Sequence, residues 1–343
     1  MTNIQTLHSH TIASDGVLTY QEVLDCAKEN DIATVAFTDH DCLVDQNTLG
    51  LLKEKNEITP NWISGIEISA GLPVELGGGP FGGVHIVGLF VDPFNKQLID
   101  HCKKAQQDRK ERMAKIVNGL QGLGFDISEE DCLKASGGES VGRPHIVKAL
   151  YEKPANLLVV EKMRKDMEKA SLKDESIRKK YEAMMQRESQ YPYVLFLSHD
   201  SFIKGVGVEY GYRIDFDTSV KLIRDAGGLA ILAHYSTAKS KISWELLEKI
   251  ISEKRLDGVE TVYAMTLFGT KEGEEWTNDS LKLEEIVAEY KIIASGGADA
   301  HTKQHFIDFG QRTDYNCKTI GMAERMIAQS GVSTAWSSFS ANI

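Results

Sequence analysis

Histidines and acidic residues recur at the ends of short apolar runs along this chain. A lone histidine on an apolar segment is more often a packed core residue than a ligand, but these positions are regular. His8 and His10 end the first apolar run, and Asp299 and His301 repeat that spacing after the last one. In a β-strand, residues i and i+2 point to the same side, so each pair can reach one ion. The spacing predicts a metal centre.

Further candidate ligands accompany other apolar runs. In chain order they are His40 in TDHD, Glu67 in SGIEIS, His85 in GVHIVGL and His234 in LAILAHY. Imidazole and carboxylate ligands suit Zn²⁺, Mn²⁺ or Fe²⁺, whereas Mg²⁺ alone would favour oxygen ligands. The set exceeds what one tetrahedral ion can use, and unlike a closed structural zinc site it contains no cysteine. We therefore expect two or three divalent ions, with a carboxylate bridging between them.

Strands and helices must alternate to position these ligands. Short β-branched or apolar runs are separated by segments with helical period. The alternation predicts parallel strands joined by crossovers, and about seven strands favour a barrel, at one face of which the strand ends meet. The class is α/β. The expected strands are 4–8, 33–38, 62–68, 84–90, 229–234, 258–262 and 292–295, and the expected helices include 19–30, 216–226, 244–253 and 278–289.

The middle of the chain interrupts this alternation with a charged and mostly helical stretch. We interpret it as an insertion that leaves the barrel after the fourth strand. The predicted organisation is a first barrel part at 1–103, a helical insertion at 104–190 and a second barrel part at 191–343. The charge runs are most simply solvated helix faces. The alternative is that some of the arginines and lysines face the active site.

Composition narrows the class of protein further. The 343 residues carry 39 Lys and Arg against 50 Asp and Glu, a net charge of −11, which argues against a general nucleic-acid binder but not against a local basic pocket. No apolar stretch approaches the roughly 20 residues that a membrane helix needs. The N-terminus lacks the basic and apolar regions of a secretory signal. We expect a soluble, cytoplasmic protein with no membrane partner.

Five short motifs resemble those of the PHP (polymerase and histidinol phosphatase) family. They are HSHTIASDG from His8, TDHD from Thr38, GIE from Gly65, the histidine of AHY and the final DAH. Three more segments resemble the branch that acts on nucleoside 3′,5′-bisphosphates and short RNA 5′ ends: VHIVGLFVD, RKERMAKIVNGLQGLG and GRPHIVKAL. The resemblance covers about residues 1–103 and 190–310. The chain departs from the family by having Tyr235, where proline commonly follows the histidine of AHY.

The resemblance implies a distorted (β/α)7, TIM-like barrel with a helical insertion and a trinuclear metal site. It also assigns Asp15 to the site, although the Asp-Gly pair would favour a turn at that position in any protein. The ligand sets that it implies are His8, His10, Glu67 and Asp299 for one ion, Glu67, His85 and His234 for a second, and Asp15, His40 and His301 for a third.

Residues outside the metal ligands would handle the substrate. A metal-activated hydroxide attacks phosphorus in line, and an imidazole suits protonation of the leaving group. His199 is the candidate acid or phosphate donor, and His145 is a second candidate that could instead cap a helix. Arg143 fits a second phosphate because guanidinium donates two parallel hydrogen bonds. Arg112 and Arg109, which share a helix face, are weaker candidates.

We therefore expect a metal-dependent phosphoric ester hydrolase. Its partner would be a small phosphorylated substrate, either a nucleotide of the 3′,5′-bisphosphate type or a short RNA end, with a phosphomonoester or a phosphodiester cleaved. The alternatives are a histidinol-phosphate or sugar-phosphate phosphatase of the same fold, a nuclease acting on longer nucleic acid, and a non-catalytic protein with a relic site. The intact ligand set argues against the last.

Overall fold

The computed structural model describes residues 3–54, 60–78, 83–137, 140–186, 188, 191–263 and 271–339. The chain forms two compact units. The first, here called the barrel unit, comprises residues 1–105 and 213–343, and the second, the helical unit, comprises Gln106–Tyr212. The helical unit thus extends beyond residue 190, which the sequence analysis predicted as the end of the insertion. The domain limits of the sequence analysis stay a prediction.

Seven strands in the described part of the barrel unit form one sheet with the order β1-β2-β3-β4-β5-β6-β7. The expected strands are all present, with ends shifted by a few residues. Two of the shifts matter for the site, because β1 and β5 end before His8 and His234 and leave these histidines on the loops that follow. The strands are Ile4–Thr6, Ile32–Phe37, Asn61–Ala70, Val84–Leu89, Leu229–Leu232, Gly258–Val262 and Ile293–Gly296.

The expectation that all strands run parallel was wrong for β4. This strand pairs antiparallel with both β3 and β5, whereas the other pairs are parallel. No α-helix lies between β3 and β4 in the described residues, and parallel neighbours would need such a crossover. The start of β4 therefore lies beside the end of β3, with His85 opposite Ser69. His85 reaches the site from the beginning of its strand.

The sheet closes between its first and last strands. The N–H of Leu7 donates to the carbonyl of Gly296 at 3.0 Å. Beyond the strand ends, Ser9 and Ala300 form a parallel bridge. These contacts bring the loop after β1 beside the loop after β7, as the barrel fold predicted. The two histidine-bearing loops are thus neighbours.

Amphipathic helices surround this sheet. α1 shows how the sequence sets their limits, since Thr19 and Glu22 form a capping box at its start. In the part of the chain that the structure describes, none of the helices combines the length and the hydropathy of a membrane span. The helices of the barrel unit are α1 Tyr20–Glu29, α2 Gln46–Glu54, α3 Lys96–Gly122, which continues into the helical unit, α8 Phe216–Asp225, α9 Tyr235–Ala238, α10 Trp244–Ser252, α11 Lys271–Tyr290, α12 Lys303–Gln311, α13 Thr313–Asn316 and α14 Met322–Ser330.

The helical unit has its own apolar core, so the helical character expected of the insertion is confirmed. Its buried side chains come from α3 and from every helix that follows in the unit, and they include Leu120, Phe125, Met167 and Phe196. The remaining elements are α4 Glu129–Ser136, α5 Arg143–Tyr151, α6 Pro154–Ser171, α7 Glu175–Met185 and a π-helical turn at Tyr193–Leu197.

Gly258 offers a test of the sheet packing. A Cβ at this position would overlap the carbonyl oxygen of Ile293 on the neighbouring strand. We expect Gly258→Ala to lower the free energy of unfolding by about 1–3 kcal/mol, as overpacking does. Gly50→Ala is the matched control, because its Cβ would meet nothing within 4 Å and alanine favours the helix by about 0.5–1 kcal/mol. Urea denaturation measures the free energy of unfolding of both variants. Equal values would contradict the close contact between Gly258 and Ile293.

Candidate metal centre

The loop after β1 is held in place by a buried acid. Asp39 accepts hydrogen bonds from the backbone N–H of Thr11 at 2.7 Å and from the hydroxyl of Ser14 at 2.6 Å. Its other oxygen accepts from the Thr11 hydroxyl at 2.8 Å. Asp39 therefore fixes the shape of the loop that carries His8 and His10. The sequence marked it only as part of TDHD.

Glu67, near the middle of β3, is the centre of the cluster. Its carboxylate is 1% exposed, and imidazole nitrogens surround both oxygens. Oε1 lies 2.8 Å from Nδ1 of His85 and 2.9 Å from Nε2 of His234. Oε2 lies 2.9 Å from Nδ1 of His40. One carboxylate thus faces ligands from the loop after β2, the start of β4 and the loop after β5, as a bridging ligand must.

Three donor atoms near Oε2 of Glu67 have the spacing of a metal site. Nε2 of His8 lies 3.2 Å from Nε2 of His10, and these nitrogens lie 3.4 and 3.3 Å from Oε2. Oδ1 of Asp299 lies 3.4 Å from the first nitrogen and 3.0 Å from the second. Bonds of about 2.1 Å to a tetrahedral ion place neighbouring donors about 3.4 Å apart. These residues fit a divalent ion.

A further group of candidate ligands surrounds Asp15. Its carboxylate lies 3.3 Å from Nε2 of His301, 3.6 Å from Nδ1 of His10 and 3.8 Å from Nε2 of His40. Their donor atoms all lie within 4.8 Å of one another, as do those of His40, Glu67 and His85. His40 therefore faces two groups, where the family resemblance implied one.

All nine predicted ligands lie in this single cluster of the barrel unit. Which residues bind each ion, and how many ions bind, stays a prediction. The cluster comprises His8, His10, Asp15, His40, Glu67, His85, His234, Asp299 and His301.

Burial and charge act in opposite directions on these groups. Burial alone would raise the pKa of Glu67, but the surrounding histidines, His40 first, hold it well below its usual value. Burial alone would lower the pKa of His301, but Asp15 and then Asp299 raise it to about 9. Burial dominates at His85 and lowers its pKa to about 4. Ionised acids and protonated histidines thus balance each other, and divalent cations would supply the same positive charge.

Two residues of the cluster have strained backbones. His234 has φ 30° and ψ 58°, and Asp299 has φ 48°, both in the left-handed region. This conformation costs a non-glycine residue roughly 1–2 kcal/mol. Each residue follows the end of a strand, β5 or β7, where the chain turns its side chain into the cluster. Such strain is common at functional sites.

The sequence did not predict two residues that touch the cluster. Glu260 in β6 is 2% exposed and contacts His8 and His234. Tyr263 directly follows β6, and its ring centroid lies 5.1 Å from that of His234. Burial, and then the nearby carboxylate of Asp299, raise the pKa of its phenol. A carboxylate inside the short predicted strand GVETV was the available signal for Glu260, since such residues are rarely buried without a partner.

Three arginines converge in the helical unit. Arg109 and Arg112 on α3 are each 5% exposed and pack against the ring of Tyr210, with guanidinium carbons 5.2 and 4.2 Å from its centroid. The Tyr210 hydroxyl accepts a hydrogen bond from Arg109 at 3.1 Å. Burial, and the nearby charges of Arg143 and Arg109, lower the pKa of Arg112. These two arginines are therefore not solvated, a point that the sequence left open.

Arg143, His145 and His199 also lie in the helical unit. Arg143 begins α5, with its guanidinium carbon 5.8 Å from the ring centroid of Tyr193. His145 is buried, and its Nδ1 accepts the N–H of Gly142 at 2.9 Å, which is the capping role considered from the sequence. His199 is exposed in a turn after the π-helical segment. Their roles toward substrate stay predictions.

Known proteins of similar sequence span most of this chain. The model of the PHP domain family matches residues 6–253. A 3′,5′-nucleoside bisphosphate phosphatase from Chromobacterium violaceum is 27% identical over 88% of each chain. A 5′-3′ exoribonuclease from Escherichia coli is 24% identical over 90% of this chain and 89% of its own. A phosphoribosyl 1,2-cyclic phosphate 1,2-diphosphodiesterase from Eggerthella lenta is 24% identical over 88% of this chain and 95% of its own.

Solved structures share the fold. One from Bifidobacterium adolescentis, named as a metal-dependent phosphoesterase, has a TM-score of 0.65 at 20% identity and covers 96% of this chain and 98% of its own. An amidohydrolase from Chromobacterium violaceum has a TM-score of 0.59 at 22% identity and covers 88% of each chain. The predicted α/β barrel with a helical insertion is confirmed.

We predict that His301 would make metal binding by the cluster depend on pH. Its raised pKa means that its proton stabilises the metal-free fold below about pH 6.5, a contribution lost as the pH rises through about 9. A protonated imidazole cannot bind an ion, so metal competes with this proton. We expect Zn²⁺ affinity to rise from pH 6.5 to 8.5 and binding at pH 7 to release protons. Calorimetry in two buffers of different ionisation enthalpy measures the release, and its absence would contradict the ligand role.

Proposed function

We infer, because this chain belongs to the PHP domain family, that it is a metal-dependent phosphoesterase acting on a small nucleotide of the 3′,5′-bisphosphate type or on a short RNA end. The observation that carries the proposal is the buried carboxylate of Glu67 with imidazole nitrogens at 2.8–2.9 Å on both of its oxygens. A merely structural core would not need so many titratable groups around one carboxylate.

We propose that the residues of this cluster would hold two or three ions of Mn²⁺, Zn²⁺ or Fe²⁺, with Glu67 at the centre of the ligand set. When bound, such ions lower the pKa of a coordinated water and offset charge on phosphate oxygens. The protein's part is to hold the ligands rigidly. The Asp39 hydrogen bonds to Thr11 and Ser14 fix one loop, and the left-handed turn at His234 aims a second ligand.

The substrate class rests on the arginines of the helical unit. Arg112 is buried, and the charges of Arg109 and Arg143 lie near enough to lower its pKa. Like charges gathered in this way favour an anion, and guanidinium groups bind phosphate in a bidentate manner. We propose that Arg143, with Arg112, binds a second phosphate of the substrate. The nucleotide phosphatase and the exoribonuclease among the relatives act on substrates that fit this proposal.

The remaining proposals concern the residue that protonates the leaving oxygen and the location of the protein in the cell. His199, exposed in its turn, is free of strand or helix constraints and is our candidate for protonating the leaving oxygen. His145 is the weaker candidate, because one of its ring nitrogens caps α5. A cytoplasmic location and a small soluble substrate complete the proposal.

Phosphate release tests the proposed reaction. We expect Mn²⁺-loaded protein to release phosphate from 3′,5′-adenosine bisphosphate faster than from AMP, histidinol phosphate or a cyclic ribose phosphate. His10→Ala should abolish turnover and lower the metal content, because His10 faces two of the ligand groups. Metal analysis accompanies the assay. Metal-loaded protein that hydrolyses none of these substrates and no short RNA would contradict the proposal, and preference for histidinol phosphate would select the alternative phosphatase.

Substitution of Arg143 tests whether this residue recognises a second phosphate of the substrate. We expect Arg143→Ala to raise KM for the bisphosphate about tenfold or more, as loss of about 1.4 kcal/mol of binding would, and to change KM for a monophosphate ester much less. Arg164→Ala is the matched control, because Arg164 pairs with Glu161 on its own helix, α6, of the same unit. Equal changes of KM for both substrates would remove the role assigned to Arg143.

A further inference from the structure

We propose that Glu260 is a positioning residue that orients two ligands of the metal centre at once. This proposal rests on the proposed metal-dependent function, but none of the family motifs includes Glu260. Its Oε1 lies 2.8 Å from Nδ1 of His8, and its Oε2 accepts the backbone N–H of His234 at 2.7 Å. The carboxylate therefore joins the loop after β1 to the loop after β5 from a strand that supplies no ligand of its own.

The first contact selects the tautomer of His8. Nε2 of this ring faces the cluster, 3.4 Å from carboxylate oxygens of Glu67 and Asp299. To bind an ion through Nε2, a neutral imidazole must carry its proton on Nδ1. A carboxylate can only accept a hydrogen bond, so Glu260 holds the proton on Nδ1 and leaves the Nε2 lone pair for the ion. The negative charge of the carboxylate also increases the basicity of the ring.

The second contact supports a strained turn. His234 lies in the left-handed region, at φ 30° and ψ 58°, two residues after the end of β5. Its N–H is held by Glu260, and its Nδ1 lies 2.9 Å from the hydroxyl of Thr237. Together these two bonds aim Nε2 at Glu67, 2.9 Å away. A charged acceptor suits this position because hydrogen bonds to an ionised group are roughly twice as strong as neutral ones.

One carboxylate performs both tasks, and an amide cannot. In Glu260→Gln the side chain keeps its shape but has a single acceptor oxygen and an NH₂ group. If the oxygen stays with the N–H of His234, the NH₂ faces Nδ1 of His8 and favours the tautomer with its proton on Nε2. If the amide flips, the NH₂ opposes the N–H of His234. Either orientation disturbs one ligand.

Zn²⁺ affinity tests this role. Competition with a fluorescent chelator should show Zn²⁺ binding about 10–100-fold weaker in Glu260→Gln than in the wild type, the usual loss for a residue that orients a ligand. Asp257→Asn is the matched control. Asp257 likewise accepts a backbone N–H, that of Ala230 at 2.8 Å, and also binds Arg224, but contacts no histidine in the described structure. We expect it to keep wild-type affinity.

The tautomer of His8 is a readout that does not need the variant to fold. In ¹⁵N NMR spectra of the Zn²⁺-loaded wild type, Nδ1 of His8 should carry a proton and Nε2 should not. Wild-type Zn²⁺ affinity in Glu260→Gln, or an unprotonated Nδ1 in the wild type, would overturn this inference alone. Wild-type protein that binds no divalent ion would instead overturn the proposed function together with it.

Discussion

The structure depends on keeping one charged carboxylate, that of Glu67, in the interior of a barrel. Burying an ionised group is costly unless opposite charge and hydrogen bonds compensate it. Here His40, His85 and His234 approach its two oxygens at 2.8–2.9 Å. Because these histidines come from distant parts of the chain, their convergence requires β3 to lie between β2 and β4, with β5 next in the sheet. The barrel is the scaffold that satisfies this requirement.

Other buried acids determine how precisely the ligands are held. Asp39 organises the loop that carries His8 and His10, and Glu260 contacts the far side of His8. Neither acid belongs to the predicted ligand sets. In the proposed metal centre, one set of carboxylates would face the ions, and a second set, Asp39 and Glu260, would hold the histidine-bearing loops. Such outer partners fix ring orientation and ligand basicity in metal sites generally.

The sequence predicted which side chains would gather in one cluster better than it predicted the elements around them, and the role of these side chains as ligands stays a prediction. Histidines placed at strand ends are visible in a sequence because residue type and spacing can be compared directly. The direction of β4 is not visible, since a buried strand has the same pattern in parallel and antiparallel sheets, and only the missing crossover helix distinguishes them. Glu260 escaped prediction because its partners lie far away in the chain. Arg112 had the pattern of a solvated helix face, yet its burial depends on Val208 and Tyr210, nearly a hundred residues away.

Anomalous diffraction from crystals of the Mn²⁺-loaded protein tests the central claim most directly. We expect strong anomalous peaks in contact with both oxygens of Glu67, with one peak also within bonding distance of His8, His10 and Asp299. Mn²⁺ peaks that avoid Glu67, or full Mn²⁺ loading with no peak in this cluster, would contradict it. Either result would mean that the buried carboxylate and its histidines hold the fold together without binding an ion.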